Sequence, residues 1–262
     1  MLEAAHRRVS LFGELVRDPR RFWSLIRKDI ELLFDATRKS PDPYEAVSWE
    51  SAVGLLAQDE GTTRAILAEP ALAKIEADVV AASIGRRGPW PATYNADRAL
   101  ARCAYVVCRL VRPTVAVETG VAYGVTSAYI LAALEVNSHG TLHSIDLPPL
   151  GGDASWIGAL VPERLRSRWR LHVGLSRAKL PEILALGPVD FFLHDSLHTY
   201  STMRWELTSA WASLRDGGAM IADDIQSNDA FREVSAGTEV ARAVAIRSET
   251  KAGSVFGVIR RC

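Results

Sequence analysis

From Thr114 onward, short β-type runs alternate with helical stretches, and this alternation limits the possible folds more than any other feature. Strands are predicted at Thr114–Glu118, Thr141–Ile145, Arg170–Val173, Asp190–His194 and Ala219–Ala222, and helices near 124–135, 155–167, 177–185 and 199–214. Such an order builds right-handed βαβ units, which give a mainly parallel sheet with helices on both faces. The tail, Val240–Ile246 and Ser254–Ile259, is predicted to add a hairpin in which one strand runs antiparallel.

The first 90 residues show only helical patterns. Apolar residues recur at spacings of three and four on either side of Asp18-Pro19, and Ala-rich helical sequence continues to about Ala82. A Gly- and Pro-rich stretch at 85–91 is typical of a linker. We therefore predict a helical extension over residues 1–90 and an α/β domain over residues 91–262. The extension would serve as a lid or as a homodimer surface.

Composition argues against several classes of protein. Lys plus Arg and Asp plus Glu each number 31, so the formal net charge is zero and no global field favours nucleic acid. Cys103, Cys108 and Cys262 have neither disulfide-framework nor zinc-site spacing, and no run of about 18 apolar residues predicts a membrane span. We expect a cytoplasmic protein without a nucleic-acid partner, in which Cys103 and Cys108 pack in the core.

The first predicted strand runs into a glycine turn that ends at Gly124. Gly120 would let a ligand approach the backbone closely, Gly124 would allow a tight helix start, and the helix N-terminus would offer free N–H groups to an anion. The turn lacks the GxGxxG pattern and follows an acid, Glu118, which suits a cofactor with an ammonium group better than a pyrophosphate. A purely structural βα turn is the alternative.

Two later strand ends carry polar residues suited to a nucleoside. Asp146 follows the second strand, where a carboxylate can accept both hydroxyls of a ribose. Ser176 follows the third strand and could hydrogen-bond an adenine edge. Capping of a helix or turn is the structural alternative for both residues.

Three acids follow the fourth and fifth strands. Asp195, Asp223 and Asp224 converge if these strands are neighbours, and three close carboxylates repel one another unless a cation lies among them. Oxygen ligands indicate Mg²⁺, Mn²⁺ or Ca²⁺ rather than zinc, whereas surface loop acids are the alternative. His198 lies three residues after Asp195 and could accept a hydroxyl proton near neutral pH.

Five segments in this order resemble a known family: VETGVAYGVTSAYIL, LHSIDL, VGLSRAKLPEI, VDFFLHDSLHTY and LRDGGAMIADDI. Together they resemble the class I S-adenosylmethionine-dependent methyltransferases, in particular metal-dependent O-methyltransferases related to catechol O-methyltransferase and to natural-product sugar methyltransferases. The likeness covers roughly residues 95–260. It implies a Rossmann-like methyltransferase fold, S-adenosylmethionine as cofactor and a divalent ion such as Mg²⁺.

The resemblance also implies roles for individual residues. The cofactor-binding positions would be Glu118, Gly120, Tyr123, Gly124, Thr126, Ser127, Asp146, Ser176 and Asp195. Among them, Glu118 and Gly120 would hold the methionine end, Thr126 or Ser127 its carboxylate, Asp146 the ribose and Ser176 the adenine. The metal ligands would be Asp195, Asp223 and Asp224, the last of which is commonly Asn in the catechol enzymes. His198 stands where those enzymes carry a catalytic Lys, which favours a His base.

The expected function is therefore metal-dependent O-methylation of a small molecule with neighbouring hydroxyls, such as a sugar, a natural product or a catechol-like compound. The acceptor pocket would be closed by Trp90–Asn95, the loop around Trp156 and Gln226–Phe231. Two alternatives stay open at this point. One is an NAD-dependent oxidoreductase, and the other is a noncatalytic S-adenosylmethionine-binding or scaffold protein.

Overall fold

A computed structural model describes residues 43–262 except 58, 87, 92–94, 151 and 238, together with residues 19, 23, 26, 30, 31, 34 and 35. The sequence patterns before Pro19, including Asp18, lie outside the described residues. The described helices before the sheet are α1 (Trp49–Leu56), α2 (Glu60–Leu67), α3 (Pro70–Ser83) and α4 (Arg98–Val111). The helical prediction for residues 49–83 is confirmed, while the division of the chain at residue 90 stays a prediction.

Local chemistry explains where three of these helices begin. Ser48 caps α1 by accepting a hydrogen bond from the Ser51 N–H, and Asp59 caps α2 through the N–H groups of Gly61 and Thr62. Asp97 is fully buried and caps α4 through the Ala99 N–H. Such side-chain acceptors satisfy the N–H groups that the first turn of a helix leaves free.

The remaining elements alternate as predicted. They are β1 (Val115–Thr119), α5 (Val125–Asn137), β2 (Thr141–Asp146), β3 (Trp169–Val173), α6 (Ser176–Leu184), β4 (Val189–His194), α7 (Tyr200–Ser213), β5 (Leu214–Ala222), α8 (Ala230–Ser235), β6 (Val240–Arg247) and β7 (Val255–Arg261). The strand order in the sheet is β3-β2-β1-β4-β5-β7-β6, and β7 runs antiparallel to both of its neighbours. The predicted α/β class, with a mainly parallel sheet and a C-terminal antiparallel strand, is confirmed.

Apolar side chains fill both faces of the sheet. One core joins α1–α5 to the sheet and contains Cys103 and Cys108, both fully buried as predicted, whereas the second core contains residues of α6, α7 and α8. Burial on both sides explains why β4 is buried at every position. Among the described residues, none of the helices has the length and apolar character needed to cross a bilayer.

The prediction of a single helix at 155–167 is wrong. This segment forms two short 3₁₀ helices, Ala154–Trp156 and Glu163–Arg168. Gly158 between them has a φ of +70°, and a Cβ at this position would lie 2.1 Å from the Trp169 ring. A continuous α-helix cannot include that backbone conformation.

Candidate functional site

The glycine turn brings the ends of β1 and β4 together. Gly120 has a φ of +84°, and a Cβ there would lie 1.9 Å from the backbone oxygen of Asp195. The Asp195 N–H in turn donates to the Thr119 carbonyl oxygen at 2.8 Å. The group that approaches Gly120 closely in the structure is therefore the chain's own backbone. Gly124, with a φ of +88°, lies at the start of α5 as predicted.

Glu118 is fully buried beneath this turn and is surrounded by hydroxyl groups. Thr126 donates to Oε1 at 2.6 Å, while Ser127 and Ser144 donate to Oε2 at 2.6 and 2.8 Å. Burial raises the pKa of Glu118 to about 7, although these hydrogen bonds act in the opposite direction. In this arrangement the protons of Thr126 and Ser127 are already donated to Glu118, so the predicted contact with a cofactor carboxylate stays a prediction.

Asp146 fixes the same turn from the end of β2. Its Oδ2 accepts from the N–H groups of Val121 and Ala122 at 2.9 and 2.7 Å, and its Oδ1 accepts from the Leu147 N–H at 2.6 Å. Ala122 has a positive φ of 46°, a conformation that these hydrogen bonds help to hold. The carboxylate predicted to bind ribose therefore also shapes the turn beside it.

Tyr123 links the turn to two of the segments predicted to close the acceptor pocket. Its hydroxyl donates to the Trp90 carbonyl oxygen at 2.7 Å and accepts from the Trp90 N–H at 3.0 Å. Its ring lies edge-to-face against Trp90 and Trp156, with centroids 5.2 and 6.4 Å away. Ser176 is half-buried at the first position of α6. Residues 92–94 of the predicted lid lie outside the described residues.

The ends of β4 and β5 bring the predicted metal and base residues together. Asp195, His198 and Asp223 each have a ligand atom within 4.8 Å of the others. Asp223 is fully buried, and no described residue donates a hydrogen bond of ordinary geometry to either of its carboxylate oxygens. His198 Nε2 is also buried without a hydrogen-bond partner among the described residues. Buried groups of this kind are costly unless a ligand completes them.

The electrostatics of this cluster shift the pKa of all three groups toward their neutral forms. Burial, followed by repulsion from Asp223, raises the pKa of Asp195 well above its ordinary value. Burial and then repulsion from Asp224 raise the pKa of Asp223 to about 6, against the attraction of Lys251. Burial and the nearby His194 lower the pKa of His198 to about 4, so this imidazole is neutral at pH 7.

Asp224 lies on the other side of the His198 ring and outside the group of three. Its Oδ2 is 3.6 Å from His198 Nδ1, whereas Asp195 Oδ1 is 3.6 Å from Nε2. Its Oδ1 accepts from Gln226 Nε2 and the Ser254 hydroxyl at 3.0 and 2.7 Å. Burial raises the pKa of Asp224, but His198 and these hydrogen bonds lower it by more. Its predicted role as a metal ligand stays a prediction.

The sequence analysis missed Glu206, which lies beside the candidate base. Glu206 of α7 is fully buried and accepts from His194 Nδ1 at 2.7 Å, from Thr119 at 2.5 Å and from Ser196 at 3.0 Å. Burial raises the pKa of Glu206, but the contact with His194 and the hydroxyl donors lower it by more. The His194 ring lies edge-to-face against His198, with centroids 5.4 Å apart. Glu206 thus holds the His194 ring, which contacts the candidate base His198.

The helical extension also reaches this part of the site. Glu31 accepts from the Thr199 hydroxyl at 2.7 Å, and Asp35 accepts from the Tyr200 N–H at 2.9 Å. Both contacts lie at the start of α7, directly after His198. Acidic groups are favourable at a helix N-terminus, and their position here is consistent with the predicted lid.

Comparison with known proteins shows what the chain is similar to. Residues 117–225, from β1 to just beyond β5, match a family model described as a methyltransferase domain. No curated protein matches the chain at the level of sequence. Because the described fold is the one predicted from the resemblance, we assign the class I methyltransferase fold; the family match itself covers less than half of the chain.

Solved structures agree with this assignment. The chain is similar to an O-methyltransferase from Bacillus cereus in complex with S-adenosylhomocysteine, at 14% identity and a TM-score of 0.54 over 81% of this chain and 96% of that one. It is also similar to TomG from Streptomyces achromogenes, an O-methyltransferase of tomaymycin synthesis in complex with S-adenosylmethionine, at 15% identity and a TM-score of 0.53 over 74% and 91%. The chain is similar as well to a methyltransferase from Podospora anserina bound to S-adenosylhomocysteine, at 12% identity and a TM-score of 0.52 over 85% of this chain and 99% of that one. At these identities the likeness establishes the fold.

Proposed function

We propose that this chain transfers a methyl group from S-adenosylmethionine to a hydroxyl of a small molecule with neighbouring oxygens, with the help of a divalent cation. The observation that carries the proposal is the cluster of Asp195, His198 and Asp223, whose ligand atoms lie within 4.8 Å of one another beside the glycine turn. The cofactors named for the Bacillus cereus and Streptomyces achromogenes structures support the choice of methyl donor.

The cofactor would lie along the ends of β1 and β2. Asp146 would accept the ribose hydroxyls from the side of its carboxylate that faces away from the turn, and Ser176 would lie beside the adenine. Glu118, Gly120 and Gly124 would hold the methionine end, where the buried carboxyl attracts the ammonium group of the cofactor. Tyr123 and Trp90, already joined by two hydrogen bonds, would exclude water from this end.

The residues at the ends of β4 and β5 fit a divalent cation. Asp195 and Asp223 offer carboxylate oxygens, and both oxygens of Asp223 lie buried without a donor among the described residues. Asp224 is the third candidate ligand. Carboxylates of this kind suit Mg²⁺ or Mn²⁺. When bound, such an ion would lower the pKa of an acceptor hydroxyl and fix its orientation.

His198 is the residue we assign as the base. Because its pKa is lowered to about 4, the ring is neutral at pH 7 and can accept a proton. Each ring nitrogen lies 3.6 Å from a carboxylate oxygen, Nδ1 from Asp224 and Nε2 from Asp195, and we assign the lone pair to Nε2, which faces Asp195 of the cluster. Nε2 would take the acceptor's hydroxyl proton as the oxygen attacks the methyl carbon. S-adenosylmethionine would supply the methyl group and leave as S-adenosylhomocysteine, with the electron pair of the broken bond on sulfur.

Calorimetry with S-adenosylhomocysteine, with and without Mg²⁺, tests the cofactor, and transfer of a labelled methyl group to a catechol and to a sugar with vicinal hydroxyls tests the reaction. We expect binding of S-adenosylhomocysteine and transfer that stops after treatment with a chelator and resumes with Mg²⁺ or Mn²⁺. Equal rates in chelator-treated protein would disprove the role of the metal. Binding of NADH without binding of S-adenosylhomocysteine would disprove the cofactor.

A further inference from the structure

A lysine from a distant part of the sequence lies beside the carboxylate cluster. Lys251 is in the turn between β6 and β7, and its Nζ lies 3.8 Å from Oδ2 of the fully buried Asp223. The side chain is only 28% exposed. No hydrogen-bond donor of ordinary geometry reaches Asp223 from the described residues, and this ammonium group offers the carboxylate a positive charge at 3.8 Å.

The turn that carries Lys251 is held in place from two sides. Asp97, buried at the start of α4, accepts from the Thr250 N–H and hydroxyl at 2.7 and 2.6 Å. On the other side, Ser254 donates to Asp224 at 2.7 Å, and its N–H donates to the Lys251 carbonyl oxygen at 3.1 Å. The backbone of Lys251 is thus anchored both to the body of the domain and to the acidic cluster.

A count of the formal charges in the cluster indicates a role for this lysine. Asp195, Asp223 and Asp224 carry three negative charges when ionised, and a divalent cation supplies two positive charges. The ammonium group of Lys251 supplies the third, so the cluster with its ion and Lys251 is neutral. A fixed positive charge at this distance also repels an entering cation.

We propose that Lys251 is the resident counter-cation of the carboxylate cluster, which stabilises the site before the divalent ion enters and limits the affinity for that ion. The inference rests on the proposed function, because it assumes that the cluster takes a divalent cation. It assigns Lys251 a positioning and affinity-setting role and leaves the proton transfer to His198.

Lys251→Met, Lys251→Arg and Lys74→Met test this role. Lys74 is the matched control, since it forms a comparable pair with Asp78 at 3.4 Å on the exposed surface of α3. Binding of Mn²⁺ and Mg²⁺ is measured by calorimetry, and thermal unfolding is measured in a chelator. For Lys251→Met we expect a midpoint lower by several degrees without metal and about tenfold tighter binding of Mn²⁺. Lys251→Arg and Lys74→Met should stay within about twofold of the original protein.

The metal affinity decides the outcome, because a lysine that merely packs the turn would lower stability without tightening the binding of Mn²⁺. Mn²⁺ binding by Lys251→Met that is equal to or weaker than that of the original protein would overturn the inference, even if methyl transfer proves metal-dependent. Tighter binding by Lys251→Met without methyl transfer in any variant would support the inference while the proposed reaction fails. Absence of metal binding in every variant would overturn both, and the S-adenosylhomocysteine titration would still judge the cofactor.

Discussion

The residues at the carboxyl ends of the strands fall into two halves, and the buried acids of the two halves differ in the hydrogen-bond donors that reach them. At the ends of β1 and β2, Glu118 receives three hydroxyl donors and Asp146 receives three backbone N–H donors. At the ends of β4 and β5, Asp223 receives none from the described residues. The ends of β1 and β2 are therefore the complete half, satisfied by the chain's own groups, whereas the ends of β4 and β5 are the incomplete half, in which Asp223 lacks such a donor among the described residues. A buried acid thus indicates a ligand only after its own donors have been counted.

The largest effect that this contrast predicts is at Asp223. Asp223→Asn keeps the shape of the side chain but removes a buried charge without donors, so we expect kcat to fall about 1000-fold with the loss of metal binding. The same variant leaves the Lys251 ammonium group without its carboxylate partner, so it should also unfold at a lower temperature than the original protein in a chelator. Methyl transfer at saturating Mg²⁺ and thermal unfolding check the two parts.

Asp216→Asn is the control for this substitution, since the Asp216 side chain is 89% exposed and pairs with Arg261 near the beginning of β5, away from the cluster. It should change neither metal binding nor turnover by more than about twofold. Turnover of Asp223→Asn within a factor of two of the original would contradict the contrast drawn between Asp223 and the donor-satisfied acids Glu118 and Asp146.

The complete half predicts a pH effect at Glu118. Its pKa is raised to about 7, so between the ordinary value of 4.5 and 7 the folded protein keeps a proton that the unfolded chain has lost. Stability should therefore fall as the pH rises through this window, by about 3 kcal/mol from this group alone. Glu118→Gln does not titrate, so its free energy of unfolding should fall less between pH 5 and pH 8.

Urea unfolding in a chelator at four pH values measures this slope. The slope is the informative quantity, because glutamine also disturbs the hydroxyl donors and lowers stability at every pH. Glu163→Gln serves as the control, since the Glu163 side chain is 93% exposed. Parallel curves for Glu118→Gln and the original protein would contradict the account of Glu118.

The sequence alone predicted the alternation of strands and helices along the chain and the residues at the ends of β1 to β5, because each of these strands ends at, or is followed by, a glycine or an acid. The helix predicted at 155–167 failed because a single positive φ at Gly158, set by the Trp169 ring, overrides the helical spacing. Trp169 begins the next strand, so this contact is tertiary and invisible in a local pattern.

Glu206 and Lys251 were missed for a related reason. Glu206 occupies a helix position where an acid would usually face water, but α7 turns that position toward the ends of β1 and β4. Lys251 looks like an ordinary turn residue, and only the pairing of β7 with β5 brings its turn beside Asp223. Sheet order determines both positions, and the sequence patterns predicted only that the strands exist.

The incomplete half predicts a smaller effect at His198. His198→Asn should lower kcat by about 100-fold, the usual contribution of a positioned base, while Mn²⁺ affinity stays within about threefold. The two measurements separate a base from a ligand, which the grouping of His198 with Asp195 and Asp223 makes necessary. Loss of Mn²⁺ binding by more than tenfold would make His198 a ligand. His139→Asn, at a histidine bonded to the Asn137 and Arg112 carbonyl oxygens, is the control.

The smallest effect is expected at Tyr123, where the glycine turn contacts Trp90. Tyr123→Phe removes the hydroxyl that donates to the Trp90 carbonyl oxygen and accepts from the Trp90 N–H, so it should cost about 1 kcal/mol of unfolding free energy. The affinity for S-adenosylhomocysteine should fall a few-fold, since the ring contacts with Trp90 and Trp156 remain. Tyr44→Phe is the matched control, because the buried Tyr44 hydroxyl has no hydrogen-bond partner among the described residues and its loss should cost almost nothing. Equal losses in the two variants would mean that the Trp90 hydrogen bonds contribute nothing beyond the packing of the ring.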